Sequence, residues 1–199
     1  TYHNLKFNET YHSISGAKEE SVKKFLEPCI EIIQSKKKIN VLDICFGLGY
    51  NSAALIDYIL NNNLDCNINI IGLEIDEEIL NKIKDNRSSG FDNYKIIQGK
   101  KSEKIYIEIK LGDARNLIEK LDQKFDIVFL DPFSPKKCPE LWTKKFFIDI
   151  KKKMNEKGIL TTYSCAKIVR ENLKSAGFKI KDGPCVGRRG PSTIALNIR

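Results

Sequence analysis

Short apolar runs alternate with helical patterns along most of this chain, and that alternation limits the folds it can adopt. Strands are predicted at 39–45, 69–74, 105–111, 125–130 and 158–163, with helices at 51–61, 76–86, 114–121, 143–154 and 166–176. Strands that alternate with helices imply a mostly parallel sheet with helices on both faces, the α/β class. The last two predicted strands, 178–181 and 192–198, have no helix between them, so we expect an antiparallel terminal hairpin.

The remaining predicted elements flank this alternation. Residues 19–34 have the apolar spacing of a helix, which Pro28 is expected to kink or divide. Residues 94–97 and 105–111 suggest an added β-hairpin around the turn that begins at Gly99. We expect one globular domain, in which residues 1–38 form an N-terminal segment and helix on the substrate side and residues 39–199 form the α/β domain.

Composition excludes several classes of protein. Hydrophobic residues make up 41% of the 199 residues and charged residues 30%, as in a globular chain. No apolar run is long enough to span a bilayer, and no secretory signal is visible. The six cysteines contain no C-x-x-C pair and there are only two histidines, which argues against a zinc site or a disulfide framework. We therefore expect free thiols in a cytoplasmic protein.

Positive charge is concentrated at the end of the chain. The net charge is +8, and residues 151–199 hold twelve Lys or Arg against three Asp or Glu. A basic segment of this kind predicts a face for a polyanion such as nucleic acid. The alternative is a solubilising surface on a lysine-rich protein.

A glycine turn and three strand-end carboxylates predict a cofactor site. Gly47 and Gly49 lie between the first predicted strand and helix, where the backbone must turn tightly and admit a ligand. Ser52 occupies the position of the third glycine of a dinucleotide fingerprint, so a pyrophosphate fits poorly. Glu74 suits ribose hydroxyls, Asp113 an adenine amino group and Asp43 the backbone or an amino group; alternatively, each of the three caps a turn or helix.

This pattern resembles class I S-adenosylmethionine-dependent methyltransferases, whose Rossmann-like fold also ends in an antiparallel hairpin. The resemblance implies S-adenosyl-L-methionine as cofactor. The residues expected to bind it are Asp43, Phe46, Gly47, Gly49, Asn51, Glu74, Asp113, Ala114 and Asp131.

A proline-rich loop follows the apolar predicted strand 125–130. It reads Asp131-Pro-Phe-Ser-Pro-Lys-Lys-Cys-Pro-Glu-Leu-Trp142. With Phe46-Gly-Leu-Gly-Tyr-Asn51 and Leu111-Gly-Asp-Ala-Arg115, it resembles the methyltransferase domain of the MnmC family, in the form that lacks the flavin oxidase domain. Cys45 and Cys138 depart from the glycine and asparagine common in that family. The resemblance implies methylation of an aminomethyl group on a wobble uridine of tRNA.

The resemblance also implies roles for individual residues. Asp131 would orient the acceptor amine and secondarily accept its proton, since an exposed Asp is a weak base. Trp142 would stack on the target base or wall the pocket, unless it is instead a core anchor that opens the next helix. The residues expected to contact the substrate are Tyr11, His12, Pro132, Phe133, Lys136, Lys137, Trp142, Tyr163, Arg170, Arg188 and Arg189.

Three alternatives stay open. A polyamine aminopropyltransferase would use decarboxylated S-adenosylmethionine, but Leu130 stands where a second Asp is typical and a basic rim would suit a polyamine poorly. A nucleobase amino-methyltransferase would share part of its D-P-P-Y signature with Asp131-Pro-Phe133. A non-enzymatic RNA-binding module would not bind S-adenosylmethionine.

Overall fold

Seven strands form one twisted sheet in this computed structural model, which describes residues 3–4, 9–10, 16–86, 89–187 and 190–198. The order across the sheet is β3-β2-β1-β4-β5-β7-β6. The strands are β1 (Lys38–Ile44), β2 (Asn67–Glu74), β3 (Ile105–Leu111), β4 (Phe125–Leu130), β5 (Met154–Thr162), β6 (Lys179–Asp182) and β7 (Thr193–Leu196).

The strand directions confirm the predicted α/β class. Strands β3, β2, β1, β4 and β5 run parallel, whereas β7 is antiparallel to both β5 and β6. The chain extends the sheet from β1 to one side and then returns to place β4 on the other. The carboxyl ends of β1 and β4 therefore flank a topological switch point, where open α/β sheets bind ligands.

Helices connect the strands. They are α1 (Ala17–Glu20), α2 (Ile30–Ser35), α3 (Tyr50–Asn61), α4 (Glu77–Ile83), α5 (Ala114–Glu119), α6 (Lys144–Lys152) and α7 (Lys167–Ser175). A π-helical turn, Ser21–Leu26, and a 3₁₀ turn, Glu27–Cys29, join α1 to α2. Pro28 lies in that 3₁₀ turn because it has no N–H for an α-helical bond, so the predicted helix over 19–34 is divided there.

Apolar side chains cover both faces of the sheet. Successive residues of a strand point to opposite faces, so Val41 and Leu42 of β1 belong to different hydrophobic clusters. All six residues of β4 are buried. The N-terminal helical segment covers one face, where the Phe25 ring meets Phe129 edge-on with centroids 6.1 Å apart. The sheet is therefore packed on both faces beneath the loops at its carboxyl edge.

The predicted hairpin over 94–111 is wrong. Residues Tyr94–Ile96 form a 3₁₀ turn, and Ile105–Leu111 joins the main sheet as its edge strand β3. Tyr94 is buried, and its hydroxyl donates to the Leu48 carbonyl at 2.6 Å. That anchoring holds the segment as a turn although its aromatic and β-branched residues favour a strand.

The chain also has a short ladder outside the main sheet. His3–Asn4 pairs antiparallel with Glu9–Thr10. Within the described ranges, no helix is long and apolar enough to cross a membrane.

Candidate active site

A cavity of about 240 Å³ opens at the carboxyl edge of the sheet. Its walls come from the loops that follow β1, β2, β3 and β4, with additions from the N-terminal segment. The predicted residues that line it are Phe46, Gly47, Asn51, Glu74, Asp113, Ala114, Asp131, Pro132, Phe133 and Tyr163. The sequence therefore identified residues from separate parts of the chain that meet in one cavity.

The glycine turn after β1 is held in left-handed backbone conformations. Gly47 has φ 55° and Gly49 has φ 74°, and Cys45 adopts φ 65° although it is not a glycine. The Phe46 ring is wedged between two glycines: a Cβ at Gly49 would lie 2.6 Å from Phe46 Cζ, and one at Gly72 would lie 2.6 Å from Phe46 Cδ2. Gly49 itself does not line the cavity but lets the turn close over this ring.

Glu74 ties the glycine turn to the end of β2. Its Oε2 accepts from the Gly47 N–H at 2.8 Å, and its Oε1 accepts from Ile75 N at 2.8 Å and Asp76 N at 2.9 Å. Burial raises the pKa of the Glu74 carboxyl, against the effect of these three bonds. With about four acceptor positions on a carboxylate, Oε2 retains one for a ligand hydroxyl.

Asp43 does not line the cavity, contrary to the direct cofactor contact predicted for it. Its side chain is fully buried, and its Oδ2 accepts from Ser52 Oγ at 2.6 Å. Oδ1 accepts no hydrogen bond from any described residue. Burial, with smaller contributions from Asp131 and Glu74, raises the pKa of the Asp43 carboxyl to about 8. Asp43 therefore supports the turn and the start of α3 from below.

Asp113 and Asp76 both cap helices at the rim of the cavity. Asp113 accepts from the Arg115 N–H and from the Arg115 guanidinium, which lowers the pKa of its carboxyl. Asp76, whose role the sequence did not reveal, caps α4 through Glu78 N and accepts from Asn4 Nδ2 at 2.7 Å. Asp113 therefore both lines the cavity and caps α5, two roles that the sequence offers as alternatives.

Asp131 lies at the end of the central strand β4. Its N–H donates to the Ile44 carbonyl at 3.1 Å, and its Oδ2 accepts from Asn51 Nδ2 at 3.0 Å. Asn51 lies in the first turn of α3 and is 6% exposed. The carboxylate is thereby fixed in the cavity wall, between the glycine turn and the proline-rich loop.

The proline-rich loop is anchored from within. Trp142 is 2% exposed, its indole N–H donates to the Phe133 carbonyl at 2.9 Å, and it does not line the cavity. The prediction that Trp142 stacks on a base is therefore wrong, and the core-anchor alternative holds. Tyr163 does line the cavity, and its hydroxyl donates to the Pro132 carbonyl at 2.9 Å.

Arg170, a predicted phosphate contact, holds the terminal hairpin. Its guanidinium donates to Thr193 Oγ1 at 2.9 Å, Asp182 Oδ1 at 2.7 Å and the Ser192 carbonyl at 3.1 Å. These bonds link α7 to β6 and β7, so the guanidinium stabilises the fold, and the phosphate contact stays a prediction.

The other predicted substrate contacts fall into two groups. Lys136 and Lys137 are exposed on the proline-rich loop, outside the cavity lining. Four further positions, Tyr11, His12, Arg188 and Arg189, lie outside the described residues.

The cavity wall is strongly acidic. Seven carboxylates line it, and no Lys, Arg or His does so among the residues whose positions are described. Four of them were not among the predicted site residues: Glu9, Glu20, Asp76 and Glu140. Glu9 accepts from Ser134 Oγ at 2.8 Å and from Ser134 N at 3.2 Å, so the N-terminal segment is bound to the proline-rich loop. Such a wall favours a cationic ligand.

Comparison with known proteins decides the family. The model of a family described as S-adenosyl-L-methionine-dependent methyltransferase matches residues 77–197. The chain belongs to this family. Its cofactor is S-adenosyl-L-methionine, a sulfonium cation, and the acidic wall and the glycine turn fit that group.

The relatives confirm the resemblance to the MnmC methyltransferase domain. An uncharacterized protein of Methanocaldococcus jannaschii is 37% identical over 94% of this chain and 54% of its own length. The tRNA 5-methylaminomethyl-2-thiouridine biosynthesis bifunctional protein MnmC of Campylobacter concisus is 30% identical over 96% of this chain and 33% of its own. The chain thus spans about half or less of these curated relatives.

Solved structures agree with this assignment. The crystal structure of MNMC2 from Aquifex aeolicus has a TM-score of 0.80 and 34% identity, and the match covers 95% of this chain and 64% of that one. Fibrillarin of Aeropyrum pernix with bound S-adenosyl-L-methionine has a TM-score of 0.53 at 14% identity, which shows a shared fold. The predicted Rossmann-like methyltransferase fold is therefore confirmed.

Proposed function

We propose that this methyltransferase acts on the aminomethyl group of a modified wobble uridine in tRNA. The observation that carries the proposal is the position of Asp131, which lies in the same acidic cavity as the glycine turn and Glu74. A carboxylate at the end of the central strand, held by Asn51, is suited to receive an amine. The names of the MnmC relatives support tRNA as the carrier of that amine.

Asp131 serves mainly to position the amine. When bound, S-adenosyl-L-methionine supplies an electrophilic methyl group on a sulfonium. An amine attacks only through its lone pair, so it must be neutral when it reacts. Asp131 accepts one N–H of the amine and holds the nitrogen in line, which removes much of the entropic barrier.

The aromatic and proline side chains shape the acceptor end. Pro132 and Phe133 line the cavity, and Tyr163 fixes the Pro132 carbonyl by its hydroxyl. We assign Phe133 the role of packing against the base, because aromatic rings stack on exposed bases. We assign Lys136 and Lys137, exposed on the same loop, to contacts with RNA phosphates, in a protein that we expect to act in the cytoplasm.

A second candidate follows from the acidity of the cavity. A basic rim was the sequence-level reason against a polyamine acceptor, yet the cavity lining described here carries seven carboxylates and no basic side chain. That wall suits a polyamine and decarboxylated S-adenosylmethionine. Leu130, buried before Asp131, still leaves the motif without a second Asp.

One assay separates the candidates. The protein is incubated with labelled S-adenosyl-L-methionine and tRNA that carries 5-aminomethyl-2-thiouridine, and the digested nucleosides are identified by mass spectrometry. We expect the 5-methylaminomethyl nucleoside. A matched reaction with unmodified tRNA should give none, and one with spermidine or putrescine and decarboxylated S-adenosylmethionine should give no product. Transfer to a polyamine without transfer to tRNA would contradict the proposal.

A further inference from the structure

The peptide unit between Phe133 and Ser134 is held at both of its polar ends. Its carbonyl oxygen, on Phe133, accepts from the Trp142 indole N–H at 2.9 Å and from the Cys138 thiol at 2.9 Å. Its N–H, on Ser134, donates to both oxygens of the Glu9 carboxylate at 3.2 Å. The Ser134 hydroxyl donates to the same carboxylate at 2.8 Å. Glu9 therefore completes the fixation of this peptide plane.

The peptide unit on the other side of Phe133 is held as well. Its carbonyl oxygen, on Pro132, accepts from the Tyr163 hydroxyl at 2.9 Å. Because peptide units are planar, fixing the units on both sides of a residue restricts the two backbone dihedrals of that residue. The Phe133 ring, which lines the cavity, therefore leaves the backbone in a set direction.

Glu9 differs from the other groups that hold this loop in where it comes from. Trp142 and Tyr163 belong to the α/β domain, and their rings meet edge-on with centroids 5.9 Å apart. Glu9 lies in the short ladder outside the main sheet, where Asn4 is directly opposite it. The Asn4 side chain donates to Asp76 Oδ2 at 2.7 Å, after the end of β2. The ladder is thereby tied to the loops after β2 and β4, on opposite sides of the cavity.

We propose that Glu9 is a positioning residue that sets the Phe133 ring for the acceptor substrate. This inference rests on the proposed function, in which Phe133 packs against the base that carries the amine. Glu9 lines the cavity, but its carboxylate accepts three hydrogen bonds from Ser134 alone. We therefore assign it the role of holding the loop and no proton transfer to or from the reacting amine.

Loss of the Glu9 carboxylate affects the acceptor end of the cavity. The N–H and hydroxyl of Ser134 are then left to water, and the peptide unit is held only at its carbonyl end. The Phe133 ring gains orientations that do not face the base. The apparent affinity for the acceptor falls in proportion to the time spent outside the productive orientation. Donor binding does not depend on this ring, because the glycine turn and Glu74 support it.

The test compares methyl transfer by variants of Glu9 on tRNA that carries 5-aminomethyl-2-thiouridine. In Glu9→Ala, kcat/KM for the tRNA should fall about tenfold or more, the effect of losing hydrogen bonds to a charged group. Glu9→Gln keeps an oxygen for the Ser134 N–H and an amide for the Ser134 hydroxyl, which also accepts, so kcat/KM should stay within about threefold of the wild type. The Kd of S-adenosyl-L-methionine should stay within about threefold of the wild type in both variants.

The matched control is Glu19→Ala. Glu19 is an exposed carboxylate of α1, in the same N-terminal segment, and it does not line the cavity. Its removal should leave both kcat/KM and the donor Kd at the wild-type values.

Trp142 gives a measurement that does not depend on activity. It is the only tryptophan in the chain, and its indole N–H bonds the peptide unit that Glu9 holds from the other end. Acrylamide should quench its fluorescence more readily in Glu9→Ala than in the wild type, Glu9→Gln or Glu19→Ala. Ser134→Ala removes one of the three hydrogen bonds and should show a smaller increase, which carries the test if Glu9→Ala does not fold.

Two kinds of result would overturn the positioning role. One is unchanged kcat/KM for the tRNA, or unchanged quenching of Trp142, in folded Glu9→Ala. The other is a loss of donor affinity as large as the loss of kcat/KM, which would make Glu9 a donor contact. A wild type that methylates no tRNA refutes the proposed function instead, and the quenching experiment still decides whether Glu9 holds the loop.

Discussion

Position 49 in the glycine turn needs glycine for two reasons, a steric clash and a left-handed backbone. Gly72 and Gly99, which lie elsewhere in the chain, allow the two effects to be measured separately. A Cβ at Gly49 would meet Phe46 Cζ at 2.6 Å, and its φ of 74° is left-handed. An added Cβ at Gly72 would also clash with Phe46, but the φ of Gly72 is not positive. Gly99 has φ 101°, and an added Cβ there would meet no atom within 4 Å. Substitution by alanine therefore tests clash plus strain at Gly49, clash alone at Gly72 and strain alone at Gly99.

The expected costs follow from these contacts. Left-handed strain costs an alanine about 1–2 kcal/mol. Forcing extra volume into a packed site costs about 1–3 kcal/mol, and Phe46 cannot yield because it is 4% exposed and held on both faces. We expect Gly99→Ala to lose about 1–2 kcal/mol of unfolding free energy, Gly72→Ala about 1–3 and Gly49→Ala about 2–5.

Urea denaturation of the wild type and the three alanine variants, followed by circular dichroism, gives these differences in unfolding free energy. A double variant completes the test, since Phe46→Ala removes the ring that the new Cβ would strike. Phe46→Ala combined with Gly49→Ala should cost less than the sum of the single changes by about 1–3 kcal/mol, the clash component. Additive costs, or a loss at Gly49 no larger than that at Gly99, would refute the wedge around Phe46.

Other expectations concern buried or strained groups. The folded pKa of Asp43 is raised to about 8, so native protein keeps a proton that the unfolded chain releases near pH 4, and stability falls as pH rises between these values. Asp43→Asn should lose this pH dependence. In urea titrations its stability relative to the wild type should therefore be greater at about pH 8 than at about pH 5. Cys45→Val should destabilise the protein by about 1–2 kcal/mol, because a β-branched residue is strained at φ 65°. Cys45→Gly should cost less, and equal losses of stability in thermal melts of the two variants would count against backbone strain. Arg170→Ala should lose about 1–3 kcal/mol by calorimetry, and undiminished stability with weaker tRNA binding would instead favour a phosphate contact.

The sequence predicts the position of a residue well where the order and direction of the strands determine it. Parallel strands end at one edge of a sheet, so Glu74, Asp113 and Asp131 could be placed in one cavity from their positions alone. Asp43 followed the same pattern but ends below the cavity, because its partner Ser52 lies under the glycine turn. A strand-end carboxylate can therefore face a ligand or a neighbouring helix, and spacing alone does not distinguish the two.

Contacts between distant segments had no sequence signal. The bond from Ser134 to Glu9 joins residues 125 positions apart, and the bond from Asn4 to Asp76 spans 72. Tyr94 was assigned to a strand from its neighbours, whereas its hydroxyl contact to Leu48 decides its conformation. The sequence predicts Arg170 as a surface cation, because its hydrogen-bond acceptors lie in the distant terminal hairpin.

The role of Asp131 is tested most directly by removing its side chain and measuring cofactor binding and methyl transfer on the same preparation. Asp131→Ala should bind S-adenosyl-L-methionine with an affinity within about threefold of the wild type and transfer methyl groups about 10²–10⁴-fold more slowly, as for loss of a positioned catalytic group. Circular dichroism should show an intact fold. Turnover near the wild-type rate, or loss of cofactor affinity in step with activity, would contradict a carboxylate that faces the acceptor amine.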